Sequence, residues 1–542
     1  MRNAPHDTVS DKLFWAGVLT LAVLVRVWNL GRYPLGASEA DVAYRAWQAL
    51  RGHNPDPGLG GWLTPGTALL FFVSAPTAFW ARLGPALVGG LLPLVARAWQ
   101  PIGGRRWARA LALGWALDPA LVAASRLAWG PVVGATWTAA AWVAYRRGRA
   151  SWAALLALVA LASGPAAGWA LLTLLAVALW EPRPRAGRVG LAWVGWVGVG
   201  LLWMTAGLTY PAGLGGWAGG LMAWWRGWHA ADGVPRVAAV FYIGPVLLWA
   251  LWGAYGSRLR RDVPFTGVTW TAAGLIMGIW LVYPARQAAD LAWVTFALWP
   301  WAAAAWDKAP WGRWTAAWGG WLLAAGWSVL LVFAALTLWS TDGGLAPSWL
   351  RWSMVVAAGL TAILMATLTM GWFGAPALRH GVILTFLAAT TLWAGMSLHH
   401  AHRAAANDEL WQRDAVAADV QQFEAALTWW GNRLTRGAAQ DLTGVVLVDH
   451  PTLQWLQAAR FPGLKSAPGL MPDEHPWVIV TQVGFDPGEG YRGQRYHLRE
   501  ALQWPSARAW VQWFVYRRVA HEPTRDVILW VRNDAFTATA SP

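Results

Sequence analysis

The chain has 542 residues, of which 57% are hydrophobic and only 13% charged, with 48 Trp, no Cys and a net charge of +15. A soluble protein of this length needs far more surface charge, so that class is excluded. The lack of Cys excludes disulfides and thiolate metal sites, and leaves the redox compartment unread. Most of the positive charge is Arg in short loops between apolar runs, which reflects membrane topology and argues against nucleic acid as a partner.

A membrane-crossing helix needs roughly 20 apolar residues. Segments of this kind lie at about 13–30, 82–98, 107–123, 131–145, 151–165, 168–180, 189–207, 236–256, 264–283, 289–306, 314–338, 350–372 and 381–398. They predict an α-helical polytopic membrane protein with about thirteen transmembrane helices. Only Arg2 and Lys12 carry fixed positive charge ahead of the first segment, and no small-residue cleavage site follows it, so it reads as a retained signal anchor. One set of loops holds Arg97, Arg105, Arg106, Arg146, Arg147, Arg149, Arg183, Arg185, Arg188, Arg258, Arg260, Arg261, Lys308, Arg313 and Arg379. The alternate set holds mostly single residues, Arg126, Arg286 and Arg351. The positive-inside rule puts the first set and the N-terminus in the cytoplasm, and everything after His399 outside. Thr67–Trp80 is short and Pro-interrupted, and is expected to be re-entrant or interfacial. The stretch 208–235, with Trp224, Trp225 and Trp228 near Arg226, reads as an interfacial amphipathic element. The many Trp are expected mainly as lipid-facing or interfacial anchors.

The composition changes near residue 400, dividing a membrane domain (1–400) from a C-terminal outer domain (401–542). Asn407 or Asp408 can cap an amphipathic helix reaching Arg436, with Val416, Val420, Phe423, Leu427, Trp430 and Leu434 along one face. Short β-branched runs at Val445–Val448, Val478–Thr481 and Val527–Val531, with a helix near Thr452–Ala459, predict a small α/β fold.

The first outer loop is acidic. Ser38 is a good N-cap and Asp41 follows at capping-box spacing, which predicts a helix over Glu39–Arg51 stopped by Gly52. Glu39 is then the first helical residue, where negative charge is favoured. The run from Arg26 to Tyr44 resembles the first outer loop of the GT-C membrane glycosyltransferases, in the protein-mannosyltransferase and aminoarabinose-transferase branch. Ala78-Phe79-Trp80-Ala81-Arg82-Leu83-Gly84-Pro85-Ala86-Leu87-Val88-Gly89-Gly90-Leu91 resembles the start of that family's second span. Leu117-Asp118-Pro119 with Ala124-Ser125-Arg126 resembles the end of its third. The predicted layout is similar to the same superfamily, including oligosaccharyltransferase catalytic subunits, but their Trp-Trp-Asp motif is missing. The resemblance implies inverting transfer of a sugar from a polyprenyl-phosphate carrier, on the outer face, to a glycan, lipid or protein acceptor. The family's Asp-Glu pair falls on Ser38-Glu39, so its first carboxylate is absent here. The Pro-rich segment after the helix is reduced to Thr64-Pro65-Gly66.

Such chemistry needs a carboxylate to take the acceptor proton or orient the acceptor, and cations to balance the leaving phosphate. Glu39 and Asp41 are the candidate catalytic carboxylates, with a helix-terminal dipole charge as the alternative for Glu39. Positions two apart on a helix point about 200° apart, so the two do not share a site. Asp41 also fits a capping box with Ser38 or an ion pair with Arg45. Arg126, Arg286 and Arg82 are the candidate phosphate ligands, with headgroup snorkelling as the alternative for each. His53 is a candidate substrate contact or a solvated loop residue. His399 and His402, three apart, have the spacing to share a divalent cation, although no carboxylate flanks them. Asp449-His450 has no nucleophile elbow and no phosphate-binding loop occurs, so hydrolase and nucleotide-pump chemistry lack support. Two other classes remain: a transporter of lipid-linked saccharides, disfavoured by few mid-span charges, and a non-catalytic relative that binds a glycan or partner through its outer domain.

Overall fold

In lipid every backbone amide must find its partner within the protein, so uninterrupted apolar runs wind into helices. The computed structural model describes residues 9–55, 61–181, 192–230, 234–255, 261–308, 318–339, 348–402, 415–416, 419–471, 475–503, 513 and 520–537. The helices follow in chain order. The first group is α1 (Val9–Val27), α2 (Ala37–Leu50), α3 (Leu63–Val73), α4 (Ala78–Gly90), α5 (Leu92–Ala98), the single turn α6 (Gln100–Gly103), α7 (Arg105–Leu117), α8 (Pro119–Ser125) and α9 (Pro131–Arg146). Then come α10 (Ala150–Leu161), α11 (Ala167–Trp180), α12 (Ala192–Met204), α13 (Gly216–Arg226), α14 (Ala238–Ala254), α15 (Val263–Val282), α16 (Leu291–Lys308), α17 (Trp318–Trp339) and α18 (Ser348–His402).

Helix stands at each of the thirteen apolar segments, but the straight spans are fewer than expected. Three stretches among the described residues are long and apolar enough to cross a membrane: Ala78–Ala98, Val263–Val282 and Trp352–His399. Other apolar helices, such as Ala150–Leu161 and Ala238–Ala254, are shorter. The sequence shows why some are broken. Asp118 leaves the helix before Pro119 and caps the next one through Leu121 N at 2.8 Å. Gly374, at φ 81°, splits α18 ahead of Pro376. The Thr67–Trp80 stretch also divides: α3 ends at Val73, and Trp80 belongs to α4, capped by Thr77.

Several of the basic residues between the helices pair with acids, and Asp11 pairs with Arg105 and Arg109. Arg146 bridges Glu181 at 2.9 Å and Asp262 at 2.8 Å, and Arg147 reaches the Ala98 carbonyl. Some Trp fill the core, beside exposed ones such as Trp28, Trp225, Trp318 and Trp352 that fit the expected anchors. Trp107, Trp115, Trp169, Trp280, Trp293 and Trp301 are fully buried. Glycine makes the room: a Cβ on Gly114 would sit 2.3 Å from the Trp299 ring, and one on Gly267 2.1 Å from Trp180. Some of the indole N–H groups reach acceptors, as Trp107 does to Pro300 O at 2.7 Å and Trp301 to Thr269 at 2.9 Å, whereas Trp293 Nε1 meets none among the described residues.

The C-terminal part carries a six-stranded sheet in the order β1-β5-β6-β4-β2-β3. Its strands are β1 (Ala415–Val416), β2 (Gly444–Val446), β3 (Leu464–Ser466), β4 (Val478–Gln482), β5 (Tyr491–Gln503) and β6 (Ala520–Arg532). β2 runs parallel to β3 and β4, and the other pairs are antiparallel. Helices α19 (Asp419–Leu434) and α20 (Pro451–Ala459) share one core with it. Phe423 and Leu427 meet Leu453, Leu456, Val478, Val480, Val527 and Leu529 there. The amphipathic helix is present over Asp419–Leu434 with Val420, Phe423 and Leu427 buried, but Val416, expected on its face, lies in β1 instead, and its expected start at Asn407 or Asp408 lies outside the described residues. α20 lies against α2, and Trp455 stacks on Phe71 at 5.6 Å within a cluster that includes Ala40, Ala43 and Ala46.

Candidate functional site

The site is built around the first turn of α2. Gly36, not Ser38, is the N-cap, and the helix begins at Ala37. Glu39 is therefore its third residue, and its side chain turns back to accept the Gly36 N–H at 3.2 Å. Each carboxylate oxygen of Glu39 accepts twice. Oε1 takes Arg82 Nε at 2.8 Å and Ala128 N at 2.9 Å; Oε2 takes Arg82 Nη2 at 2.6 Å and Gly36 N. Glu39 is 2% exposed. Burial opposes its ionisation, but the Arg82 charge and these hydrogen bonds prevail and hold the carboxyl below the usual carboxylate range. Asp41 points elsewhere and pairs with Arg45 through both oxygens at 2.9 Å.

The three candidate phosphate ligands part company. Arg82 spends all five of its N–H groups on Glu39 and on the carbonyls of Leu30, Tyr33 and Pro34. It has no donor left for a phosphate, which corrects its expected role: it fixes the loop to α2. Arg126 gives Nη1 to the carbonyls of Arg26 and Trp28, at 2.9 and 2.8 Å. Its other N–H groups meet no acceptor among the described residues. Arg286 laces its own turn to the preceding loop, donating to Val234 O at 2.6 Å and Tyr283 O at 3.0 Å. His53 is exposed, and its loop is tied down by a neighbour, with Asn54 Oδ1 accepting from Ala212 N. His399 lines a groove of about 660 Å³ with Trp28, Asn29, Arg32 and Tyr33. The His402 side chain lies outside the description, and no group of three metal-ligating side chains occurs among the described residues.

A second cavity, of about 330 Å³, opens beside Ser38. Trp169, Trp224 and Tyr283 supply aromatic walls, with Arg226, Gln287 and Asp290 among them. Trp224 and Tyr283 stack at 5.7 Å, and Trp169 meets both edge-on. Asp290 is buried and engaged: Oδ1 accepts from Trp169 Nε1 at 2.9 Å and Oδ2 from Gln287 N at 3.0 Å. Tyr283 donates its hydroxyl to Trp224 O at 2.8 Å. Gln287 Oε1 and Trp224 Nε1 are buried without a hydrogen-bond partner among the described residues. Arg226 is exposed and pairs with no acid among them. Sequence reasoning reached Ser38 and placed Arg226 in an interfacial element, but gave neither Gln287 nor Trp169 a role. The one signal for Gln287 was its place beside Arg286, a candidate phosphate ligand.

The three stretches singled out in the sequence converge here. Arg82 of the second holds Glu39 of the first, Arg126 of the third holds the end of α1, and Gly89 packs against Ser125. ArnT from Cupriavidus metallidurans, solved with undecaprenyl phosphate bound, superposes with a TM-score of 0.55 over 97% of this chain and 98% of its own, at 14% identity. The chain has a GT-C fold. The apo form of the same ArnT gives a TM-score of 0.49 over 84% of this chain and 85% of its own, at 14% identity. The oligosaccharyltransferase AglB from Archaeoglobus fulgidus, in complex with an inhibitory peptide and a dolichol-phosphate, gives 0.38 over 84% of this chain and 64% of its own, at 15% identity. No protein-family model and no curated protein matches the sequence. In this chain the acid that opens α2 is joined to its surroundings on both oxygens, and the position ahead of it, Ser38, faces the cavity.

Proposed function

We propose that the chain is an inverting glycosyltransferase that moves a sugar from a polyprenyl-phosphate carrier to an acceptor outside the membrane. The observation that carries this reading is the end-to-end likeness to ArnT, a protein solved with undecaprenyl phosphate bound, in a chain with an aromatic cavity at its α2 end. Arg-rich loops alternate along the sequence with loops that hold single Arg residues, which supports an N-terminus in the cytoplasm, with the cavity and the C-terminal domain outside.

The chemistry follows from the groups present. The acceptor oxygen attacks the anomeric carbon as the bond to the carrier phosphate breaks, and the charge left on that phosphate needs cations. Arg226 at the cavity and Arg126, with N–H groups to spare, take that role. The departing phosphate monoester is itself a base and takes up the acceptor proton. Glu39 and Arg82 then act by position, fixing α2 so that Ser38 meets the cavity, while Arg286 holds the wall opposite. Asp41 and His53 have no part in this scheme. The test is transfer from radiolabelled polyprenyl-phosphate sugars by the protein in vesicles. Arg226→Gln is expected to lower turnover at least tenfold, and a native protein that transfers from none of these donors overturns the reading. One observation favours a second reading. Serine replaces the acid at residue 38 and Glu39 is saturated, which fits a non-catalytic relative that binds lipid-linked sugar without transferring it.

A further inference from the structure

We infer that a groove between α14 and the part of α18 after Gly374 binds an anionic glycerophospholipid, with its phosphate on Arg379 and an acyl chain along the two helices. The groove shares no residue with the cavity beside Ser38, and the inference stands whether or not the chain transfers sugar.

The walls are apolar. The groove has a volume of about 560 Å³, and Leu248 and Trp252 of α14 face Leu378, Val382 and Phe386 of α18 across it. Trp249 joins the two walls, meeting the Trp252 ring at 5.2 Å and the Phe386 ring at 5.1 Å. Leu248 is 55% exposed and Val382 41%, so the groove opens sideways, and Val240 and Leu251 continue the exposed apolar surface along α14. In a chain that crosses the membrane, such a surface meets lipid chains. Those chains are as apolar as the walls, so the walls accept a lipid without choosing which one.

Arg379 supplies the choice. It lines the groove, is exposed, and makes no hydrogen bond or ion pair among the described residues. The bundle ends beside it: α14 stops at Ala254, just past Trp252, and Gly374 splits α18 shortly before Arg379. The first turn of α17 lies at the same break, where a Cβ on Gly319 would come within 2.4 Å of the Phe373 ring. Arg379 therefore stands at the rim, and Phe386 lies about 10 Å deeper along the helix. A ligand that is charged at the rim and apolar over that depth is an amphiphile. A guanidinium matches a phosphate with paired N–H donors, and basic positions between membrane helices bind phospholipid headgroups in this way. One cation is balanced by one net negative charge. A zwitterionic headgroup brings its own cation and offers none.

The experiment counts lipid bound to the full chain in detergent by native mass spectrometry, with dioleoyl phosphatidylglycerol and dioleoyl phosphatidylcholine as probes. Phosphatidylglycerol is expected to bind about fivefold more tightly, the ~1 kcal/mol that one Arg near the headgroups supplies. Arg379→Gln should remove that preference, and Arg106→Gln, at an exposed Arg of α7, should keep it. Val382→Trp fills the groove with the cation intact and is expected to lower phosphatidylglycerol binding by a similar factor. No preference in the native protein, or equal losses in Arg379→Gln and Arg106→Gln, overturns the site, because the charge then acts as one of many on the surface. Unchanged binding in Val382→Trp overturns the groove as the place where the lipid sits. Displacement of phosphatidylglycerol by an equal amount of farnesyl phosphate assigns the groove to an isoprenoid carrier and overturns the phospholipid.

Discussion

At the residue scale, Glu39 shows how a charge can be placed by sequence and assigned its work by structure. An acid in the first turn of a helix outside the first span was legible from Ser38-Glu39-Ala40-Asp41. Its partner was not, because Arg82 lies 43 positions away and nothing local couples the two. Breaking a buried, hydrogen-bonded ion pair typically costs ~3–5 kcal/mol, because the remaining charge stays desolvated. Arg82→Met is therefore expected to lower stability by about that much, read as a fall in the thermal midpoint in detergent; a change under about 0.5 kcal/mol contradicts the pairing. The sign of the pH response follows as well. The native carboxyl of Glu39 lies below its unfolded value of about 4.3, so its contribution is complete above that value and is lost as pH falls through the native one. The thermal midpoint is expected to hold steady from pH 7 to about pH 5 as far as Glu39 is concerned, and to drop in stronger acid. That acid-dependent drop should shrink in Glu39→Gln.

At the element scale, glycine under an indole is the recurring device. Helix positions were legible because apolar runs declare themselves, yet the partner faces were not, since Trp suits lipid interface and protein interior equally well. Gly168 beneath Trp224 is the pair that matters most for the cavity. Gly168→Val should push the indole into the open space, lowering affinity for a lipid-linked sugar more than tenfold while affinity for the bare lipid phosphate changes less than threefold. Equal losses for both ligands speak against that geometry. The sheet was half legible for a related reason. Val478–Gln482 and the Val527–Val531 stretch are β-branched and buried, but β5 runs Tyr491-Arg492-Gly493-Gln494-Arg495-Tyr496-His497-Leu498, with only Tyr496 and Leu498 buried in its first half. Its polar face hides the alternation. Asp526 holds that face by pairing with His497 at 2.6 Å and with Arg495. Those pairs, outweighing the opposing effect of burial, lower the Asp526 carboxyl below its ordinary value.

At the scale of the whole molecule, the two parts of the chain are fastened twice. Trp455 of α20 sits 5% exposed against Phe71 and the small residues of α2, and Trp513 is fully buried between Phe241 and Tyr242 of α14. The β-branched runs of the C-terminal sheet were legible, and the clamp between that part and the helices before it was not, since a lone Trp carries no address. Trp455→Ala removes a large buried ring and is expected to cost about 3–5 kcal/mol. Limited proteolysis should then release the C-terminal part sooner than in the native protein; an unchanged digestion pattern argues against the clamp.

That clamp bears on how the molecule can be taken apart. A water-soluble fragment cut free at the boundary would present two bare indoles to solvent, and the remaining membrane half would be left with a greasy notch on α2. Neither piece is a finished article: each carries the other's missing surface. Swapping outer halves between cousins would succeed only where the receiving helix offers the same small side chains for the visiting tryptophan.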